Sequence, residues 1–304
     1  VAYMLWLGGG VTEILESTLV AAVLTAGILI YLQIKDTRLN VNLKNIYQLL
    51  IYSTPLVASG IVAFGFNGLD RWILADHATL TDVAHFSVAA KFSIALVLLL
   101  QPFNMWWSPR RFIVIKQQDG PHEVAKFVTI GISLTLILSV LVGLSSPLLI
   151  AWLLPDTYAI SAHYVVGLVI VMACKEIAGL VNIGCFTGKT TSSQLVINII
   201  AASIGISMML LLTPNHAVWG IIYGLLAAQI TRLLLFFYTS QYFLPLPYPK
   251  LPLLLLSCLS IAVIVLGSMT SELFLQIIYL LTGTLIVGLA AFLLKLLSLK
   301  MSVQ

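Results

Sequence analysis

Apolar residues fill this chain in long runs separated by short polar connections. A helix needs about 20 apolar residues to cross the ~30 Å hydrocarbon core of a bilayer. Nine runs qualify, at approximately 14–34, 48–69, 83–106, 126–146, 162–186, 194–212, 217–239, 252–269 and 273–295. The pattern predicts an all-α, polytopic transmembrane helix bundle of about nine helices. The second run stays apolar as far as Ala75 and contains Pro55, Gly60, Gly65 and Gly68, so a bend or break is expected within it. Residues 147–155 (PLLIAWLLP) are too short to span. They are expected to lie at the interface or to extend the preceding helix, with Trp152 as an anchor. The opening VAYMLWLGGG reads as the tail of an apolar span, which predicts a preceding N-terminal part.

Composition excludes a water-soluble domain. Sixty per cent of the residues are hydrophobic and 9% are charged, against about 25% charged in soluble domains. The net charge of +4 is no signature of nucleic-acid binding, because the basic residues sit in short connections and form no stripe or tail. Cys174, Cys185 and Cys258 lie in or at the ends of apolar runs without metal-ligand spacing. They read as small buried apolar residues.

The basic residues alternate from one connection to the next. Lys35, Arg38 and Lys44 fall in 35–47, and Arg71 stands alone in 70–82. Arg110, Arg111, Lys116 and Lys126 fall in 107–126, and 147–161 has none. Lys189 lies in 187–193, and 213–216 has none. Lys250 lies in 240–251, with Arg232 in the helix end before it; 270–272 has none, and Lys295 and Lys300 close the chain. Cytoplasmic connections carry the excess of Lys and Arg. The basic side, including the C-terminus, is therefore expected in the cytoplasm, with the chain in an inner (plasma) membrane. Asp76, Asp82, Asp156 and Glu272 fall on the opposite side, which is compatible. The short connections leave no room for an extramembrane catalytic head, and they fit a channel, a transporter or a membrane-embedded scaffold rather than an enzyme.

Ionisable residues inside spans are costly and usually face a bundle interior or an aqueous cavity. Asp70 and Arg71 follow Asn67 at i+3 and i+4, so the three share a face if the helix continues. The Asp70–Arg71 pair is either a solvated helix end or part of a cavity mouth. Lys91 sits about eight residues into its span, and it either snorkels outward or faces the interior. Lys175 and Glu176 lie near mid-span and cannot easily reach water. Adjacent residues point about 100° apart, so they need not pair. Asn182, seven residues beyond Lys175, is expected on the same face. Gln101, Asn104 and Ser108 form a polar stripe, and Asn198 and Gln229 lie inside their spans; such groups often bond between helices. Arg232 reads as a topology anchor near a helix end. The cations together suit an anionic ligand such as a phosphate or pyrophosphate.

Catalytic constellations are missing from the pattern. His77, His85, His122, His163 and His216 are scattered and form no HExxH motif. Gly188-Lys189-Thr190 resembles the end of a phosphate-binding loop, but Ile183 occupies the position of the required upstream glycine. No cofactor and no metal are expected.

Several stretches resemble polysaccharide flippases. YSTPLVASGIVAFGFNGLDRWIL followed by DVAHFSVAAKFS resembles that family's seventh and eighth helices. There a Pro-containing helix ends in Asp-Arg and the next opens with an aromatic-Ser-x-Ala-x-Lys pattern. QPFNMWWSPRRF resembles the family's Gln-x-x-x-x-Trp-x-Pro segment. GKTTSSQLVINIIAAS and LLLTPNHAVWGIIYG resemble its Gly-Lys-Thr turn and its connection into the twelfth helix. The likeness covers about residues 45–240. His85 and the Phe86-Ser87 pair depart from the commoner pattern. The family is that of Wzx-type O-antigen and capsule flippases, in a superfamily with MATE-type multidrug exporters and the lipid II flippase.

The resemblance implies a MATE-like, polysaccharide-flippase C-terminal lobe with extra helices. Residues 1–44 would end an N-terminal lobe, 45–240 would form a six-helix C-terminal lobe, and 241–304 an added helix pair. It implies transport of an undecaprenyl-pyrophosphate-linked oligosaccharide across a bacterial inner membrane by alternating access. Arg71, Lys91 and Lys175 are then candidates to contact pyrophosphate or acidic sugar. Asp70 and Glu176 would hold them or couple H+ or Na+, and Asn67 and Asn182 would add polar contacts. The implied partners are the lipid-linked oligosaccharide, membrane lipid and other glycan-assembly membrane proteins, with no nucleic acid. Two alternatives stand beside this reading: an ion-coupled multidrug exporter of the same fold, and a membrane glycan polymerase or ligase.

Overall fold

The computed structural model describes residues 11–37, 43–187, 191–270 and 272–297. These residues form nine helices: α1 (Val11–Thr37), α2 (Leu43–His77), α3 (Leu80–Val114), α4 (Gly120–Leu153), α5 (Ser161–Val181), α6 (Ser192–His216), α7 (Val218–Phe243), α8 (Lys250–Ser268) and α9 (Leu273–Leu293). Tight 3-10 turns follow at Asp156–Tyr158 and Asn182–Phe186, and no strand occurs among the described residues. All nine helices are long and apolar enough to cross a membrane, as expected of a multi-pass membrane protein.

Helices α2, α3 and α4 outrun their apolar cores, at 35, 35 and 34 residues. A 35-residue helix is about 50 Å long, against a ~30 Å core, so their ends tilt or project beyond it. Local chemistry explains the extension. Helix α3 starts at a reciprocal cap, in which Asp82 N–H donates to Thr79 Oγ1 at 3.2 Å and Thr79 N–H donates to Asp82 Oδ2 at 3.1 Å. Helix α4 runs through Pro147, so residues 147–153 extend the preceding helix and Trp152 stands exposed.

Of the bend or break expected in the second run, no break occurs: α2 continues through Pro55. A proline strips a helical donor from the carbonyl four residues back. One residue on from that carbonyl, Tyr52 O accepts the Thr191 hydroxyl at 2.7 Å. Neighbouring side chains can thus serve carbonyls that a proline disturbs.

The chain divides into two compact units, Val1–Leu50 and Ile51–Gln304. In the first, α1 exposes apolar side chains along its length, among them Leu19, Val23, Leu24 and Ile30. In the second, two cores share α4, α5 and α7. One packs Val128, Ile132, Leu136 and Val140 of α4 with Leu256, Ile264 and Val287 of α8 and α9. The other joins Phe66, Phe86, Leu96, Val169, Met209 and Ile221. The α8–α9 pair thus falls in the same compact unit as α2 (from Ile51) through α7. Most buried hydroxyls on α4 bond back to their own helix, as in Ser133 to Thr129 O at 2.9 Å and Thr135 to Gly131 O at 2.8 Å, so these need no partner in lipid.

Helix α2 meets the rest of its unit along one line. Tyr52, Ser59, Phe66 and Ile73 recur every seven residues. Tyr52 OH donates to Phe186 O at 3.1 Å, Ser59 Oγ accepts Asn198 Nδ2, Phe66 lies over Gly205, and Ile73 is buried. Towards His77 the contact widens, as Asp70 and Leu74 are also buried.

Helices α6 and α7 form a hairpin whose backbones approach at Gly205, Gly220 and Gly224, the small-residue contact used between membrane helices. The turn places Ala217 at φ 46°, a conformation costing an L-residue about 1–2 kcal/mol. Ala217→Gly is expected to stabilise the protein by about 1 kcal/mol, a rise of roughly 2 °C in the melting temperature in detergent. An unchanged or lower midpoint would show that the turn is unstrained.

Candidate anion-binding cavity

The second unit contains a partly open cavity of about 200 Å³ bounded by α2, α5, α6 and α7. Its polar lining is Lys175 from α5, Asn198 from α6, and Gln229 and Arg232 from α7. Val62, Ala63 and Phe66 of α2 and three alanines form the apolar wall. Gln229 and Arg232 are three apart and share a helix face. Lys175 lies six residues, about 9 Å, before the end of α5 at Val181, and Arg232 eleven residues, about 16 Å, before the end of α7 at Phe243. Both cations therefore sit well inside the apolar span.

Among the described residues no carboxylate lines the cavity. Glu176 neighbours Lys175 in sequence but turns to α3, where its Oε2 accepts Asn104 Nδ2 at 2.9 Å. It stays within electrostatic reach of both Lys175 and Arg232. The cavity wall itself presents two cations and two amides. Arg232 Nε and Gln229 Oε1 are buried without a hydrogen-bond partner, and Gln229 is only 5% exposed. A buried polar group left unpaired costs about 1–3 kcal/mol. An anion with hydroxyl groups beside it would satisfy both positions: phosphate oxygens accept from the cations, and hydroxyls exchange hydrogen bonds with the amides.

A second polar connection lies nearer the basic end of α3 and α5. Arg111 Nη1 donates to Asn182 Oδ1 at 3.3 Å, and the guanidinium lies 4.9 Å from both the Phe112 and Phe186 ring centres. Seven residues separate Asn104 from Arg111 on α3, so one face of that helix carries both links, to Glu176 of α5 and to Asn182 in the 3-10 turn after it. The expected stripe thus continues through Arg111, while Gln101 and Ser108 are exposed.

The sequence-derived candidates separate in space. Lys175 lines the cavity, and Glu176 stands behind it. Asn182 does not join Lys175: the α-helix ends at Val181, and the following 3-10 turn breaks the spacing that would align them. Lys91 is exposed on α3 and lies outside the cavity lining. Asp70 is buried, and its Oδ1 accepts the Arg71 backbone N–H at 2.7 Å. The Arg71 side chain is exposed, and the two side chains form no ion pair among the described residues. Asn67's side chain and the 188–190 turn lie outside the described residues.

Arg232 is the principal residue that sequence reasoning misplaced. It is no helix-end anchor, because α7 runs on to Phe243 and leaves Arg232 well inside. Its spacing from Gln229 was the available signal. Among the described residues no group of three His, Cys, Asp or Glu side chains is placed to hold a metal. The cysteines are free, with Cys185 buried and Cys258, against expectation, exposed. The chain matches no protein-family model, no curated protein and no solved structure.

Proposed function

We propose that this chain forms part of a flippase that moves a polyprenyl-pyrophosphate-linked oligosaccharide across a bacterial inner membrane, its basic end facing the cytoplasm. The observation that carries the reading is the cavity between Lys175 and Arg232. It holds two cations deep in an apolar span, a buried Gln229 Oε1 without a hydrogen-bond partner and, among the described residues, no lining carboxylate. Charge of one sign concentrated in a low-dielectric recess attracts its opposite strongly. In this scheme the diphosphate lies between Lys175 and Arg232. Gln229 and Asn198 meet sugar hydroxyls, and the polyprenyl chain stays in lipid. Sequence resemblance supplies the glycan and the alternating-access cycle; the cavity supplies the preference for an anion. An exporter of cationic drugs would need the reverse lining, with carboxylates in place of Lys175 and Arg232.

The test is genetic rescue. The full-length gene product, expressed in a strain lacking its polysaccharide flippase, is expected to restore surface polysaccharide. Membrane-inserted protein that restores none, in strains making several different lipid-linked glycans, would eliminate the reading.

A further inference from the structure

A separate recess of about 190 Å³ opens at the basic end of the second unit, where α4 begins, α9 ends and the α7–α8 connection crosses between them. That volume is several times the ~30 Å³ share of one water. His122, Lys126 and Thr129 of α4 line it, opposite Lys295 and between Pro247 and Pro249. The α4 residues fall at i, i+4 and i+7 and so share one face.

Two observations mark it as a binding site. Thr129 lines the recess, and its hydroxyl is buried without a hydrogen-bond partner, in a residue only 5% exposed. Most buried hydroxyls on this helix bond to carbonyls of their own helix, and this one does not. Lys295, in turn, occupies the left-handed position at the end of α9, with φ 57°. Lys295 N–H donates to Phe292 O at 2.9 Å and Leu296 N–H to Ala291 O at 3.0 Å, the closure in which glycine is the default. A lysine is held there with its side chain at the recess. Two acids lie beside the recess: Glu123 is 3.9 Å from Lys126, and Asp119 is 3.0 Å from His122. Lys295 has no acidic partner among the described residues.

We propose that this recess binds the phosphate of an anionic glycerophospholipid, with Lys126 and Lys295 flanking the phosphate and the Thr129 hydroxyl donating to one of its oxygens. The recess lies where the apolar run of α4 begins, the depth of a headgroup. Basic pockets between transmembrane helices on the cytoplasmic side are suited to such groups. This site is distinct from the Lys175–Arg232 cavity and does not depend on what that cavity carries.

The full-length protein in nanodiscs provides the test. Its melting temperature is expected to rise by several degrees when phosphatidylglycerol is added to phosphatidylcholine discs. The Lys126→Gln/Lys295→Gln double variant should lose more than half of that rise. Lys295→Gly relieves the left-handed strain, so it should fold at least as well and still lose part of the rise. Lys116→Gln removes an exposed cation outside the recess and should keep it all. The proposal is overturned if the double variant retains the full rise or if Lys116→Gln loses as much. It is also overturned if inorganic phosphate produces the same rise in phosphatidylcholine alone, since the ligand would then be a soluble anion.

Discussion

On the flippase reading proposed above, replacing Lys175 and Arg232 together with glutamine is expected to lower glycan export by about two orders of magnitude or more. Hydrogen bonds to charged groups contribute about 1.5–3 kcal/mol each, and two such contacts to one anion correspond to roughly 10²–10⁴-fold. Glutamine is shorter than lysine or arginine but keeps a flexible polar side chain, so α5 and α7 should still pack. Single variants should fall between wild type and the double variant. Lys91→Gln should leave export unchanged, because Lys91 is exposed outside the cavity lining. The measurement is surface polysaccharide per membrane-inserted molecule in the rescued strain. Undiminished export by the double variant would remove the cavity from the mechanism.

Gly184→Ala should be the most destabilising single methyl addition in the second unit, at about 3 kcal/mol. A Cβ at Gly184 would stand 2.3 Å from Ser240 O and 2.8 Å from Ser240 Cα. Those are backbone atoms of α7 and cannot rotate away. The Gly184 N–H also donates to Ser240 Oγ at 2.9 Å, a bond that parting the two segments would break. Overpacking typically costs about 1–3 kcal/mol, and this position combines it with a lost buried hydrogen bond. Gly179→Ala is the internal comparison, five residues earlier with open space at its Cβ position. It should stabilise α5 by about 0.5–1 kcal/mol through helix propensity alone. Thermal unfolding in detergent separates the two; equal midpoints would show that the α5–α7 approach is looser than described.

Hydropathy located every span because the bilayer demand is compositional: a run either carries about 20 apolar residues or it does not. It located span ends poorly. Helix α3 starts at the Thr79–Asp82 cap and ends beyond Pro109, and polar residues at both ends are helical without being apolar. The misplacement of Arg232 has the same origin, since its depth was judged from the end of the apolar run and not from the end of α7. Lys175 was legible because it interrupts the middle of a run. Asn182 was assigned to the wrong neighbour because face arithmetic holds only while the helix keeps 3.6 residues per turn. That period stops at Val181, and Asn182 bonds Arg111 instead. Whether Gln229 keeps its partners was beyond the sequence, since that depends on packing across three helices.

The line of contact along α2 bears on how anything large enters the cavity. At about 200 Å³ the cavity is smaller than the ~300–1,000 Å³ usual for drug-sized ligands, so the oligosaccharide of the proposed reading needs one wall to give way. Three walls are hairpin or core helices wedged on several sides. The fourth, α2, is fastened like a zip, one tooth every seven residues through Tyr52, Ser59 and Phe66, and gripped broadly only near Ile73 and Leu74. Rolling it about that seam breaks a hydrogen bond or two near Tyr52 and leaves the far end clasped. Opening is then expected as a wedge that gapes at the Tyr52 end, which would admit a sugar chain sideways while its lipid tail stays outside.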